Sequence, residues 1–139
     1  DVVVKKDVYE KVLPRLNKSK ISDVGCIGFC WGGKEVFLLG QDSDKFKGVA
    51  SLHGAWITDE KAEALKVPVY YGPASGDFPV ESVQKVLDKK DFGKKCTYYS
   101  FKDQQHGFCA ARGDWTDEAV KKDVDIAIEG AIEFFKANL

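Results

Sequence analysis

The sequence predicts an α/β fold, built on a parallel sheet of about four strands with helices on both faces. Short apolar runs alternate along the chain with longer segments whose apolar residues recur every three or four positions. Strands that alternate with helices in this way form parallel sheets with right-handed crossovers. Reactive side chains follow three of the strands, namely Cys30, Asp77 and His106. Because ligand sites lie beyond the carboxyl ends of such strands, we expect these residues to cluster there.

The first predicted helix covers residues 2–17. Its apolar stripe consists of residues four positions apart, which are Val4, Val8, Val12 and Leu16. Pro14 lies inside this pattern and is expected to kink or end the helix near its last turn.

The segment around Cys30 joins the first strand to the next helix. Val24–Phe29 is an apolar run typical of a strand buried on both faces, and residues 34–39 predict a helix that ends near Gly40. The turn between them reads Gly28-Phe29-Cys30-Trp31-Gly32-Gly33, which has the Gly-x-Cys-x-Gly pattern of a nucleophile elbow. Because the elbow is tight, the positions two before and two after the nucleophile are predicted to require small residues, and here they are Gly28 and Gly32. A thiol above the first turn of a helix ionises more readily than an ordinary one.

The remaining elements continue the alternation. Strands are predicted at residues 48–53, 67–71 and 96–101, helices at 80–87 and 116–137, and a short helical or irregular stretch at 58–65. A loop over residues 102–113 carries His106. The last helix is expected to begin at the capping sequence Thr116-Asp117-Glu118.

Composition indicates one globular domain over residues 1–139 and excludes several classes of function. The net charge of −1 comes from 21 basic and 22 acidic residues, which gives no strong field for nucleic acid or a membrane surface. No apolar run approaches the roughly 20 residues that span a bilayer. The 4 cysteines do not suggest a disulfide framework, and no His/Cys grouping has zinc-ligand spacing. A reducing, cytoplasmic setting is therefore expected.

Three motifs in sequence order resemble the dienelactone hydrolase family (carboxymethylenebutenolidases) of the α/β-hydrolase superfamily. They are the turn around Cys30, the segment Gly76-Asp77-Phe78-Pro79-Val80, and His106-Gly107-Phe108. The resemblance implies the C-terminal half of an α/β-hydrolase fold. It also implies hydrolysis of an ester, lactone or thioester through an acyl-enzyme, with no metal or organic cofactor.

The same resemblance implies roles for particular residues. Cys30 would be the nucleophile, His106 the general base and then acid, and Asp77 the group that orients His106. The backbone N–H of Trp31 would supply half of the oxyanion hole. His53 is the other possible base, but it precedes the acid in the chain and breaks the order nucleophile, acid, base.

Candidate substrate contacts flank these residues. An apolar pocket is expected from the aromatic side chains next to the motifs, and the family resemblance implies that an arginine past the histidine helps to hold a substrate carboxylate. The candidates are Phe29, Phe78, Phe108 and Arg112.

Members of this family carry a further N-terminal block of strands and helices that has no counterpart in the sequence. That block supplies the second oxyanion donor and part of the substrate pocket. The strand Val24–Phe29 would otherwise expose an unpaired edge. We therefore expect a longer polypeptide or a partner chain to cover this strand, and the only other expected partner is a small ester or lactone.

Two alternative functions belong to different classes. Glutamine-amidotransferase-like enzymes also place a Cys in a Gly-x-Cys-x-Gly turn, but their histidine is followed two positions later by Glu, where this chain has Phe108. The other alternative is a catalytically weak or inactive family member that acts as a structural or interaction subunit. Loss of one oxyanion donor typically costs on the order of 100–1,000-fold in rate, which favours this reading.

Overall fold

The computed structural model describes residues 2–139 and has a four-stranded parallel sheet at its centre. In spatial order its strands are β1 (Gly25–Phe29), β2 (Gly48–Leu52), β3 (Val69–Gly72) and β5 (Thr97–Tyr98). A separate two-stranded parallel ribbon pairs β4 (Ala74–Ser75) with β6 (Phe101–Gln105). The predicted parallel α/β fold is confirmed.

Helices cover both faces of the sheet. Successive strand residues point to opposite faces, so apolar side chains on each face must be buried against helices. On one face the strand residues Val49, Val69 and Tyr71 pack against Phe37 and Val83. On the other face a second cluster joins strand residues to one long helix. The helices of the first face are α3 (Trp31–Leu39), α4 (Asp59–Ala64) and α5 (Val80–Leu87). The long helix of the second face is α6 (Glu118–Asn138). The cluster on this second face includes Ala50, Leu52, Tyr70, Ala127, Ala131 and Phe134.

The N-terminal helix continues through Pro14, so the prediction that it ends or kinks in its last turn is only partly right. It consists of α1 (Val2–Asp7), a π-helical turn over Val8–Val12, and α2 (Leu13–Lys18). A proline has no N–H, and its ring collides with the carbonyl four residues earlier. The wider π-helical turn just before Pro14 relieves this collision, since the helix changes its hydrogen-bond spacing there.

The fourth predicted strand is divided in two, and the predicted loop over residues 102–113 is wrong in its first part. Thr97–Tyr98 belongs to the main sheet, whereas Phe101–Gln105 leaves it and pairs with β4. Only Phe101 and Gln104 of β6 are buried. Because the ribbon has one face open to solvent, it tolerates polar residues that gave no strand signal in the sequence.

The strand β1 forms one edge of the sheet and is only partly buried. Among residues 2–139 it pairs with β2 alone, and Ile27 is 40% exposed. The prediction that this strand is covered on both faces is therefore wrong. The ring of Phe135 fills the space beside Gly25 at the start of the strand, whereas the side chain of Ile27 stays partly exposed to solvent. No helix in the described chain combines the length and apolar character needed to cross a bilayer.

Candidate active site

The backbone of Cys30 is strained between β1 and α3. Its φ is 53° and its ψ is −121°, a conformation that residues other than glycine rarely adopt. Hydrogen bonds to its own peptide groups hold it there: its carbonyl accepts from the N–H of Gly33 at 3.0 Å and of Ala55 at 2.9 Å, and its N–H donates to the carbonyl of Leu52 at 3.2 Å. The elbow predicted from the sequence is therefore present.

The turn depends on glycines, although not on the full predicted pair. A Cβ on Gly28 would lie 2.0 Å from the carbonyl oxygen of Gly32, and a Cβ on Gly33 would lie 2.5 Å from Cα of Gly54. A Cβ on Gly32 would meet nothing within 4 Å, so the prediction that this position must be small is wrong. The second position that requires a glycine is Gly33, because α3 packs closely there against the segment after β2.

The side chains of Cys30, His106 and Asp77 form one hydrogen-bonded line. Nε2 of His106 lies 3.1 Å from Sγ of Cys30, and Nδ1 lies 2.7 Å from Oδ1 of Asp77. The other carboxylate oxygen of Asp77 accepts from the N–H of Ala74 at 2.8 Å, which anchors the carboxylate to β4. The structure thus brings together the three residues that the sequence singled out, which lie up to 76 positions apart.

The electrostatics of this line favour separated charges. The hydrogen bond to His106 lowers the pKa of Cys30, with further help from the N–H of Trp31 and the charge of Arg112, although burial opposes the change. For His106, burial acts to lower the pKa, but the hydrogen bonds to Cys30 and Asp77 together raise it. A thiol with a lowered pKa next to an imidazole with a raised one favours a thiolate paired with an imidazolium.

The other cysteines lie in surroundings that suppress ionisation. Burial raises the pKa of Cys26 and of Cys109 to about 12, and it also raises the pKa of Cys96. All four cysteines are free thiols. Cys30 is therefore the one thiol of the described chain whose surroundings favour the nucleophilic form.

His53 does not take part in the line, although it lies beside it. It is fully buried, and its Nδ1 accepts a hydrogen bond from the N–H of Cys30 at 3.1 Å. Burial, together with the charge of His106, lowers its pKa. The order of residues in the chain argues against His53 as the base, and its position outside the line agrees with that argument. The hydrogen bond from Cys30 to His53 could not be foreseen from the sequence.

An open cleft of about 440 Å³ lies beside His106 and Asp77. The aromatic and apolar side chains of Trp56, Ile57 and Phe78 contribute to its wall. The sequence analysis named Phe78 for such a role but missed Trp56 and Ile57, whose only signal was their position just after β2.

The other candidate substrate contacts lie elsewhere. Phe108 is 1% exposed and packs against Phe101 and His53 with ring centroids 4.9 and 5.7 Å away, so it supports the site from within the core. Phe29 is half-buried against His53. Arg112 is exposed, and its aliphatic carbons lie over Gly107 near the turn that carries His106.

A comparison with known proteins identifies the family of this fold and site. The profile of the dienelactone hydrolase family matches residues 3–139, and the chain belongs to that family. It is 30% identical over 115 residues to a human carboxymethylenebutenolidase homolog, and this alignment covers 80% of this chain and 47% of the relative. It is 24% identical over 115 residues to an uncharacterized AIM2 family protein of Schizosaccharomyces pombe, covering 81% of this chain and 46% of the relative.

A solved structure supports the fold. A dienelactone hydrolase-like promiscuous phosphotriesterase from metagenomic libraries superposes with a TM-score of 0.57 and 17% identity, over 85% of this chain and 53% of the other. The chain therefore spans about half the length of the relatives that it matches. Its family is a hydrolase family, and the roles of Cys30, His106 and Asp77 remain predictions. No three His, Cys, Asp or Glu side chains within residues 2–139 converge as metal ligands would.

Proposed function

We propose that the protein hydrolyses a carboxylic ester, lactone or thioester through an acyl-enzyme on Cys30. The observation that carries this proposal is the line from Sγ of Cys30 through His106 to Asp77, with contacts of 3.1 and 2.7 Å. Nucleophile, base and orienting carboxylate in such a line are the arrangement that activates a thiol for attack on a carbonyl. Membership of a hydrolase family supports the same class of reaction.

Acylation uses the charge-separated pair. The Cys30 thiolate attacks the carbonyl carbon and forms a carbon–sulfur bond, while the carbonyl oxygen becomes an oxyanion. The N–H of Trp31, in the first turn of α3 and directed at Sγ, supplies one donor near this oxyanion. When the oxyanion collapses, the bond to the leaving group breaks and Nε2–H of His106 protonates that group.

Deacylation returns the enzyme to its starting state. The now neutral His106 removes a proton from water, and the oxygen of that water attacks the thioester carbon. The carbon–sulfur bond breaks, the carboxylic acid leaves, and Cys30 is again a thiolate next to a protonated His106. Throughout, Asp77 keeps Nδ1 of His106 protonated and the ring in its orientation.

The cleft next to His106 is the place for the leaving group, because His106 must donate a proton to it. Trp56, Ile57 and Phe78 give this cleft an apolar wall suited to an alkyl or aryl group. The positive charge of Arg112 acts on Cys30, and it favours a substrate with a negative charge near the acyl carbon.

The alternative function is that of a weakly active or inactive subunit. Its support is that Trp31 supplies one oxyanion donor within the described chain and that the edge of β1 pairs with nothing beyond β2. Under this alternative the line around Cys30 is a remnant, and the exposed edge is the functional surface.

Substitution of the nucleophile and the base distinguishes the two functions. In the native polypeptide, Cys30→Ala and His106→Ala are each expected to abolish hydrolysis of an aryl ester, and the double variant loses little more because the two residues act as a unit. Cys96→Ala, at a half-buried cysteine away from the line, serves as the control and retains activity. Full hydrolysis by Cys30→Ala, or losses that add in the double variant, would contradict the proposal.

A further inference from the structure

His53 lies against the reactive cysteine at a cost that simple packing does not explain. It follows β2, is 0% exposed, and has a backbone φ of 38°. A positive φ is uncommon for a residue other than glycine. A polar ring that is fully buried also loses its hydration, and Nε2 of His53 has no hydrogen-bond partner within the described chain.

The other ring nitrogen makes a specific bond to the nucleophile. Nδ1 of His53 lies 3.1 Å from the backbone nitrogen of Cys30, which shares its hydrogen between this ring and the carbonyl of Leu52 at 3.2 Å. Because the peptide N–H is the donor, Nδ1 must be unprotonated. A neutral ring then carries its proton on Nε2, so this contact fixes both the charge and the tautomer.

The ring of His53 also touches the proposed base. Its centroid lies 5.3 Å from that of His106 at an interplanar angle of 72°, an edge-to-face contact. The titratable groups that act on His53 are His106 and Asp77, which come from two different segments of the chain. Burial and the charge of His106 lower the pKa of His53, and they outweigh the opposite effects of a backbone hydrogen bond and of Asp77.

We propose that His53 is a positioning residue for the nucleophile, whose Nδ1 holds the backbone N–H of Cys30 in the strained turn that directs Sγ at His106. Its working form is the neutral ring with the proton on Nε2, since a ring protonated on Nδ1 cannot accept this bond. The inference rests on the proposed nucleophilic role of Cys30 and extends it to a residue outside the Cys30–His106–Asp77 line.

Two substitutions separate the acceptor from the ring. His53→Asn keeps an acceptor on the δ1 position and suits a positive φ, but it removes the ring from His106. His53→Phe keeps a ring of similar size and removes the acceptor. Each variant and the wild type are treated with iodoacetamide near pH 7 in the native polypeptide, and the time course of Cys30 modification is followed by peptide mass spectrometry.

The acceptor is expected to determine the rate. His53→Phe lowers the alkylation rate of Cys30 about tenfold, which corresponds to about 1.4 kcal/mol, and His53→Asn stays within about threefold of the wild type, since its amide oxygen replaces Nδ1. Equal rates in both variants, or a slower reaction in His53→Asn than in His53→Phe, would overturn the proposal. Alkylation needs no ester, so a protein that hydrolyses no ester can still give this result.

A measurement on the wild type covers the case in which His53→Phe does not fold. Long-range proton–nitrogen NMR of the imidazole rings distinguishes the tautomers. The proposal expects His53 to stay protonated on Nε2 alone between about pH 5 and 8, the range in which an ordinary histidine titrates. A proton on Nδ1, or a His53 ring that gains charge in this range, would overturn it.

Discussion

At the scale of single residues, Cys30 differs from the other cysteines by its partners rather than by its exposure. Cys26, Cys30 and Cys96 are all half-buried. Burial alone raises the pKa of Cys26 to about 12, whereas the hydrogen bond from His106 outweighs burial at Cys30 and lowers its pKa. A buried thiol without a cationic partner is inert, so reactivity in this chain should be confined to one position.

The pH dependence of alkylation tests this difference. Because the pKa of Cys30 is lowered, its thiolate persists to lower pH than that of an ordinary thiol, and iodoacetamide modifies it well below pH 9. The same experiment on Cys26 is expected to show almost no reaction near neutral pH. His106→Ala removes the main cause of the shift, so the profile of Cys30 should move to higher pH. Equal rates for Cys30 and Cys26, or a profile that His106→Ala leaves in place, would contradict this account.

Asp77 is expected to matter for catalysis more than for stability. Asp77→Asn is nearly isosteric but removes the charge that accepts from Nδ1 of His106 at 2.7 Å. We expect kcat to fall by on the order of 100–10,000-fold, because the ring loses its tautomer and its orientation. Asp103→Asn changes an exposed carboxylate on β6 and serves as the matched control. Equal kcat values for the two variants would argue against an orienting role for Asp77.

At the scale of secondary structure elements, the turn between β1 and α3 is held by close backbone contacts. The Cα of Gly28 faces the carbonyl of Gly32, and that of Gly33 faces the segment after β2. These contacts pack the helix tightly on the end of the strand and fix where Sγ of Cys30 points. The strain at Cys30 is therefore supported by neighbouring glycines that leave no room for a side chain.

A matched pair of glycine substitutions measures this support. Gly28→Ala places a Cβ 2.0 Å from the carbonyl oxygen of Gly32, and forcing the two apart should cost on the order of 1–3 kcal/mol of unfolding free energy. Gly32→Ala meets nothing within 4 Å and lies in a helix, where alanine is favoured, so it should be neutral or slightly stabilising. The midpoints of urea unfolding provide the comparison. Similar losses for both variants would show that the turn is not constrained as described.

The elements that could be predicted from the sequence are those with a strong apolar signal. β2 and β3 are fully buried runs, and their predicted bounds agree with the structure to within about two residues. The sequence does not predict β6, because only Phe101 and Gln104 of its five residues are buried. The sequence predicts that α6 begins near Thr116, whereas Asp117 is the residue whose side chain accepts from the first N–H groups of the helix. Such details depend on side-chain bonds that local sequence does not determine.

The candidate site was predictable to a similar degree. Cys30, Asp77 and His106 each follow a predicted strand, so fold class alone brings them to one end of the sheet. The bond from Cys30 to His53 and the burial of Phe108 were not predictable, because both depend on how β1, β2 and β6 end relative to one another. The position of a residue relative to a strand predicts the end of the sheet at which it lies, but not the direction in which its side chain points.

At the scale of the whole molecule, the chain spans about half the length of its relatives, and within residues 2–139 the strand β1 is an edge that pairs only with β2. An open strand edge offers its N–H and C=O groups to any strand that can pair with them. Together with the 40% exposure of Ile27, this leads us to propose that a further segment of the polypeptide or another chain pairs with β1.

The solution behaviour of the 139-residue chain alone tests that proposal. Sedimentation velocity is expected to show self-association, since two open edges can pair with each other. Ile27→Lys places a charge on the exposed position of the edge strand, a change that natural edge strands use to prevent such pairing, and it should reduce the association. A stable monomer with cooperative unfolding would contradict the proposed cover of β1.

The central claim is that Cys30 carries the acyl group during turnover, and trapping that intermediate tests it most directly. The native polypeptide is mixed with an excess of an aryl ester, quenched in acid within the first turnovers, and digested for peptide mass spectrometry. We expect one acyl group on the peptide that contains Cys30, with Cys26, Cys96 and Cys109 unmodified. His106→Ala is expected to prevent its formation. Ester hydrolysis with no acyl group on Cys30, or with the group on another residue, would contradict the claim.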